Sequence, residues 1–153
     1  MNSRDWFDLI RDRVEKLAKL EQNAEDKRSA VLPKGQQFEP SSHRGPCDGS
    51  AAMLRYVEAD TELDTMRKDV EGLLERATEV LYGRSGRGGL AKARSSADAD
   101  CIFGYYLLHM TWREVADELV RPESKNGRHW CRMKACRAFE YMDRVGMDWL
   151  VES

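Results

Sequence analysis

The chain has 153 residues, of which 34% are charged and 41% are hydrophobic, and its formal net charge is −2. This length allows one domain with appendages or two small units. No stretch approaches the roughly 18 uninterrupted apolar residues that a membrane span requires. The sequence begins Met-Asn-Ser-Arg-Asp-Trp, without the apolar segment of a signal peptide, and a cytoplasmic protein is therefore expected.

The charge is distributed unevenly along the chain. Residues 84–138 contain 11 Lys and Arg against 6 Asp and Glu, whereas residues 1–83 contain 13 against 17 and residues 139–153 contain 1 against 4. A basic centre between acidic arms is typical of a local binding surface for a polyanion. A solvated helix face produces the same pattern, so the asymmetry alone does not establish nucleic-acid binding.

A first helix is predicted over residues 3–29, with Ser3 as its cap. Its apolar residues recur at steps of three and four, which is the spacing of one helix face. Such a stripe packs either within its own chain or against another subunit as a coiled coil, and the sequence leaves both alternatives open. The stripe consists of Phe7, Ile10, Val14, Leu17 and Ala24, with Glu21 in the position between the last two.

A second long helix is predicted from Ser50 to about Tyr82, after a proline- and glycine-rich loop or partly disordered linker at residues 30–49. Its apolar residues follow a near-heptad rhythm. Two amphipathic helices joined by a loop indicate an antiparallel hairpin. We therefore assign residues 1–82 to a coiled-coil-like helical hairpin that serves oligomerisation, most simply as a homodimer.

Residues 83–94 open with Gly83-Arg-Ser-Gly-Arg-Gly-Gly89 and are predicted to be a flexible cationic linker that ends in a helical turn near Leu90. The glycines resemble those of a phosphate-binding loop. A P-loop is not expected, because no strand precedes them and no Gly-Lys-Ser/Thr follows. Ser95 or Ser96 is predicted to cap the next helix, which carries the apolar run 101–108.

Three helices are predicted over residues 101–142, and the last two form a helix-turn-helix. Thr111 and Glu114 have the spacing of a capping box, which marks the start of the second of these helices. The small Ala116 suits the close helix crossing that a tight helix-turn-helix needs. Pro122 ends this helix, since the residue before a proline is biased away from helical conformation.

The third of these helices, from about Gly127 to Arg144, separates into an apolar and a cationic face. A recognition helix needs this division, because one side packs on the protein while the other reaches phosphates and base edges in the major groove. We expect Arg128, His129 and Arg132 to face the groove. The complete set of candidate DNA-binding residues is Lys125, Asn126, Arg128, His129, Arg132, Lys134 and Arg137.

The segment Phe103–Leu119, FGYYLLHMTWREVADEL, resembles the sigma-70 region 4-like helix-turn-helix, whose signature includes [ST]-W-x-E-[IV]-A-x-x-L. Residues 137–142, RAFEYM, resemble the R-A-L-x-x-L close of its recognition helix. Within that superfamily the chain is most similar to phage transcriptional regulators of the RinA/ArpU type. The resemblance covers roughly the last third of the chain, and the connection from Val120 to Gly127 is longer than the usual turn of the family.

The resemblance implies an all-α fold with a DNA-binding domain at residues 95–153. It implies a sequence-specific regulator of phage or prophage transcription, with double-stranded DNA and RNA polymerase as partners. The alternative hypothesis is a non-catalytic helical adaptor or a small phage DNA-packaging subunit. No catalytic constellation is found in the sequence, so an enzyme is not expected.

The cysteines and tryptophans complete the predictions. Three of the four cysteines, at positions 101, 131 and 136, lie in predicted helices and are expected to be reduced thiols. His129 lies near two of them, but their spacing along a helix points the side chains apart, so neither a metal nor another cofactor is expected. One aromatic core is predicted from Trp112, Trp130, Trp149, Phe103, Tyr106 and Phe139.

Overall fold

The computed structural model describes residues 1–31, 46–123 and 125–152, with the backbone alone described at 28–31 and 46–59. All regular elements in these ranges are helical, as predicted, and none of the helices found there is long and apolar enough to cross a membrane. α4 and α5 each continue as a π-helical segment, over Phe103–Leu107 and Val115–Val120 respectively. The helices are α1 Ser3–Val31, α2 Pro46–Tyr82, α3 Gly89–Ala93, α4 Ser96–Ile102, α5 Trp112–Glu114, α6 Gly127–Val145 and α7 Met147–Glu152.

The two long helices start differently from the prediction. The Oδ1 atom of Asn2 accepts a hydrogen bond from the backbone N–H of Asp5 at 2.8 Å, so the capping side chain of α1 is Asn2 and not Ser3. α2 begins at Pro46, which places Ser50 inside the helix. Proline suits the first helical position, because the backbone N–H that it lacks would have no partner there. The central part of the predicted loop, residues 32–45, lies outside the described residues.

Packing divides the chain into two compact units, residues 1–15 with 70–153 and residues 16–69. This division differs from the predicted boundaries at residues 82 and 94. The larger unit includes the start of α1 and the end of α2, because their apolar side chains are buried in one core with those of α4 and α6. In the smaller unit, Leu63 is buried, and Arg67 of α2 pairs with Glu21 of α1 at 2.8 Å.

Phe7 of α1 lies in the core of the larger unit and is fully buried. Its ring centroid is 5.6 Å from that of Phe139 on α6 and 5.9 Å from that of Tyr106. Ser3 strengthens the same contact, since its hydroxyl donates a hydrogen bond to the carbonyl of Phe139 at 3.1 Å. The first residues of α1 therefore pack directly against α6.

The predicted aromatic core is partly wrong. Trp112, Phe103, Tyr106 and Phe139 belong to it, but Trp149 on α7 is 52% exposed and Leu150 beside it is buried instead. Trp130 packs against a separate small cluster in the same unit. The aromatic contacts that these two tryptophans were expected to make are supplied by Trp6 and Phe7 of α1.

The glycine-rich segment predicted to be a flexible linker is a closely packed turn. Gly89 has a φ of +64°, and a Cβ atom added to it would lie 2.6 Å from the backbone nitrogen of Gly83 and 2.7 Å from the carbonyl oxygen of Val80. Leu90, the next residue, is fully buried. The glycines at positions 83 and 89 are therefore needed for close backbone contact, and α3 follows as the predicted helical turn.

We expect Phe7→Ala to lower the free energy of unfolding by about 3–5 kcal/mol, the usual cost of removing a buried aromatic side chain. Leu20→Ala is the matched control, because Leu20 lies on the same helix but is 45% exposed, and its effect should be about 1 kcal/mol or less. Urea unfolding followed by circular dichroism measures both. Equal effects would contradict the burial of α1 in the larger unit.

Two glycine substitutions test the packed turn. Gly86→Ala should cost about 1–2 kcal/mol, because Gly86 has a φ of +78° but no atom within 4 Å of an added Cβ. Gly89→Ala has a similar backbone penalty and also a steric overlap with backbone atoms, so it should be clearly more destabilising. Thermal melting of the two variants gives the comparison. A Gly89→Ala protein as stable as Gly86→Ala would show that the turn is loosely packed.

Candidate nucleic-acid interface

Ser95 caps α4, as predicted. Its side chain accepts a hydrogen bond from the backbone N–H of Asp98 at 3.2 Å. The π-helical segment that continues α4 approaches the next helical segment closely at Gly104. A Cβ atom there would lie 2.6 Å from Cδ1 of Leu119 and 2.9 Å from Cγ2 of Val115. Because Gly104 has no side chain, the helical segment at residues 96–107 can pack closely against the segment at residues 112–120.

Thr111 begins the next helix as its N-cap. Its hydroxyl oxygen accepts a hydrogen bond from the backbone N–H of Glu114 at 3.2 Å, and the hydroxyl donates to the Glu114 carboxylate at 3.1 Å. The predicted N-cap is confirmed. In a capping box the Glu114 carboxylate would accept from the backbone N–H of Thr111, but here it accepts from the Thr111 hydroxyl.

Trp112 is stacked on Tyr105 with ring centroids 4.0 Å apart, and the Arg11 guanidinium lies over the same Tyr105 ring at 3.7 Å.

The second and third helical segments cross closely at Ala116, as the sequence predicts. Arg121 adopts a left-handed conformation, with a φ of 47°, and ends the segment immediately before Pro122. α6 then begins at Gly127. A Cβ atom added to Gly127 would lie 3.2 Å from the Cβ atom of Ala116 and 3.0 Å from Cγ of Pro122. A residue without a side chain at the start of α6 therefore allows this crossing.

α6 has the two faces that its sequence predicts. One face is buried against α1, α4 and the helical segment at residues 115–120, and these contacts fix the rotation of α6 about its axis. Small side chains in this stripe bring the helices close, while the two largest residues fill the core. The buried residues are Cys131, Ala135, Ala138, Phe139 and Met142.

The opposite face of α6 and the residues just before it present most of the predicted DNA-binding side chains to solvent. The charged residues in the first half of the helix are all cations, whereas in the second half the exposed residues Glu140 and Asp143 balance Arg137 and Arg144. The positive end of the helix macrodipole lies at the same N-terminal end. The exposed predicted residues are Lys125, Asn126, Arg128, His129, Arg132 and Arg137.

Lys134 is separate from this group. Its side chain is only 31% exposed, and its Nζ atom lies 3.7 Å from Oδ1 of Asp98. The other carboxylate oxygen of Asp98 accepts a hydrogen bond from Nε of Arg94 at 2.6 Å. Asp98 itself is 1% exposed. Lys134 therefore neutralises a buried carboxylate between α4 and α6, a role that its position on the cationic face did not indicate.

An open depression of about 350 Å³ lies between the second helical segment and the start of α6. Its lining includes Lys125, Asn126 and Arg128 of the predicted set. It also includes Arg113 and Asp117, which the sequence analysis did not select. Arg113 belongs to α5 and forms an i,i+4 ion pair with Asp117 at 3.9 Å. Because Arg113 lies two residues after the predicted N-cap Thr111, the sequence places it in the first turn of this helix.

Cys101 of α4 and Cys131 of α6 belong to the small core beneath the motif, together with Val115 and Ala116. Burial raises the pKa of both thiols. Buried thiols of this kind pack as small apolar groups and are poor nucleophiles. Within residues 1–31, 46–123 and 125–152, no group of three or more potential ligands is placed to hold a metal ion.

Comparison of the chain with protein-family models, with curated proteins and with solved structures finds no match. The assignment of a function therefore depends on the geometry of the residues described above.

The buried carboxylate of Asp98 gives a testable contrast. Asp98→Ala should lower the free energy of unfolding by about 3–5 kcal/mol, because it leaves Arg94 and Lys134 without their partner in a partly buried site. Asp117→Ala is a matched control, since Asp117 forms the same i,i+4 pair with Arg113 at 3.9 Å, but with side chains 69% and 84% exposed. Its effect should stay within about 0.5 kcal/mol. Chemical denaturation of both variants measures the difference.

Proposed function

We propose that the protein is a sequence-specific, double-stranded DNA-binding regulator of transcription that acts on phage or prophage genes. α6 is its recognition helix and enters the major groove with its N-terminal half. The observation that carries the proposal is the exposed cationic surface of α6, which lies opposite a buried apolar stripe. This surface consists of Arg128, His129, Arg132 and Arg137 of α6, together with Lys125 and Asn126 just before the helix.

The shape of the motif supports this mode of binding. The major groove is about 12 Å wide and admits one α-helix whose outer face is polar. The close contact at Gly104 joins the first two helical segments, and the close contact at Gly127 joins the second segment to the start of α6. They leave His129 and Arg132 exposed on the outer side of α6, and Arg128 exposed in its first turn, beside the depression. Arginines at these positions are suited to bidentate hydrogen bonds with guanine, the commonest base-specific contact.

The distribution of charge also favours entry by the N-terminal end. Lys125 lies at the depression beside the start of α6 and is proposed to contact phosphate, whereas Arg113 at the same depression is 3.9 Å from the carboxylate of Asp117. The carboxylates of Glu140 and Asp143 offset the charges of Arg137 and Arg144, so the second half of the helix attracts phosphate less than the first half does. In this proposal Lys134 contributes less to DNA affinity than its neighbours, because its ammonium group already pairs with Asp98.

A homodimer is part of the proposal, because two recognition helices lengthen the site that is read and raise affinity. The start of the α1 stripe is used within the chain, since Phe7 and Ile10 are fully buried in the larger unit. Subunit contacts are therefore proposed for the unit of residues 16–69, where Leu20 is 45% exposed. RNA polymerase is proposed as a second partner on the basis of the sequence resemblance alone.

The proposal is tested by selecting bound duplexes from a random pool with the full-length protein, and then measuring the affinity of the selected site. Arg128→Ala combined with Arg132→Ala should abolish sequence-selective binding, because loss of each base contact costs about 1–3 kcal/mol. The slope of log K against log salt should also fall by about one unit for each phosphate contact that is lost.

Lys68→Ala combined with Arg76→Ala is the matched control, since it removes two exposed cations from α2 and changes the net charge equally. This variant should keep its sequence selectivity. Duplex binding without sequence preference that disappears at moderate salt would instead support the packaging subunit. No binding at low salt would support the adaptor.

A further inference from the structure

Met133 is an apolar residue on the cationic face of α6. It is 39% exposed, whereas the apolar residues of the opposite stripe on this helix are at most 4% exposed. Its neighbour Arg132 is exposed, as are His129 and Arg137, which precede and follow it by four residues. Residues four apart lie on the same side of a helix. His129, Met133 and Arg137 therefore form one row along the outer face of α6.

The position of this row is set by the buried stripe. Ala135, Ala138 and Met142 point into the core, and a helix has 3.6 residues per turn, so Met133 lies close to the centre of the opposite side. The central residue of such a face reaches deepest into a groove, while residues at its margins reach the phosphates. An apolar thioether at the centre has no favourable contact with phosphate and suits an apolar group on a base edge.

In the major groove, the 5-methyl group of thymine is the apolar feature of the four bases. We propose that Met133 reads this methyl group and makes thymine a preferred base near the middle of the half-site; this inference rests on the proposed function. The flexible thioether adapts to the position of the methyl group. The arginines on either side supply the hydrogen bonds that the thioether lacks.

The expected effect of the contact is small and measurable. Burial of one methylene-sized apolar group contributes about 0.8 kcal/mol, which corresponds to about a fourfold change in affinity. Replacing the contacted thymine by deoxyuridine removes the 5-methyl group and leaves the base-pairing edge unchanged. The wild-type protein should therefore bind the deoxyuridine duplex about fourfold more weakly.

The experiment uses the full-length protein and the duplex obtained by selection, with each thymine of the site replaced in turn by deoxyuridine. The wild-type protein should lose affinity at one thymine per half-site. Met133→Ala should bind the thymine duplex and its deoxyuridine counterpart equally. Met133→Leu, which keeps an apolar side chain, should retain the preference for thymine. The salt slope of both variants should equal that of the wild type, because Met133 contacts no phosphate.

Three results would overturn the proposal. A selected site without thymine beneath α6, or a deoxyuridine effect of equal size in the wild type and in Met133→Ala, would overturn the role of Met133 while leaving the regulator intact. Absence of any selected duplex would overturn the regulator and the role of Met133 together. The melting temperature of Met133→Ala, which should match that of the wild type, separates an effect on binding from an effect on folding.

Discussion

The burial of one face of α6 is the interaction on which the rest of the larger unit depends. Ala135 and Ala138 allow close helix contacts, and Phe139 and Met142 are buried in the same core as residues of α1 and α4. Because this stripe fixes the rotation of the helix, it also determines which side chains face solvent. The cationic surface is therefore a consequence of core packing, and the proposed recognition of DNA relies on the same residues that stabilise the fold.

Local features of this region could be predicted from the sequence. Ser95 and Thr111 occupy the helix ends that their residue types favour, and the apolar face of α6 follows from the spacing of its residues. The partners of individual side chains could not be predicted. In the sequence, Lys134 cannot be distinguished from the exposed cations of α6. In the structure it lies beside Asp98, because α4 packs there. Such a pairing depends on the arrangement of separate helices, which no local pattern specifies.

The domain boundaries show the same limit. Periodicity identified α1 as amphipathic and left open whether its stripe meets its own chain, and the structure places Phe7 and Ile10 in the core with α6. Gly83 to Gly89 illustrates a different ambiguity, since a glycine-rich sequence is compatible with a flexible linker and with a tightly packed turn. The distances at Gly89 decide between these two, because a side chain there would overlap the backbone.

The hydrogen bond between Ser3 and Phe139 joins residues 136 positions apart. During synthesis on a ribosome, the apolar start of α1 emerges long before α6, the helix against which it packs. The larger unit can therefore reach its final structure only after most of the chain has been translated. Until then Phe7 and Ile10 lack their final partners, and exposed apolar surface of this kind is where nascent chains associate with chaperones or with each other. Such distant contacts also slow folding, because a long loop must close before they form.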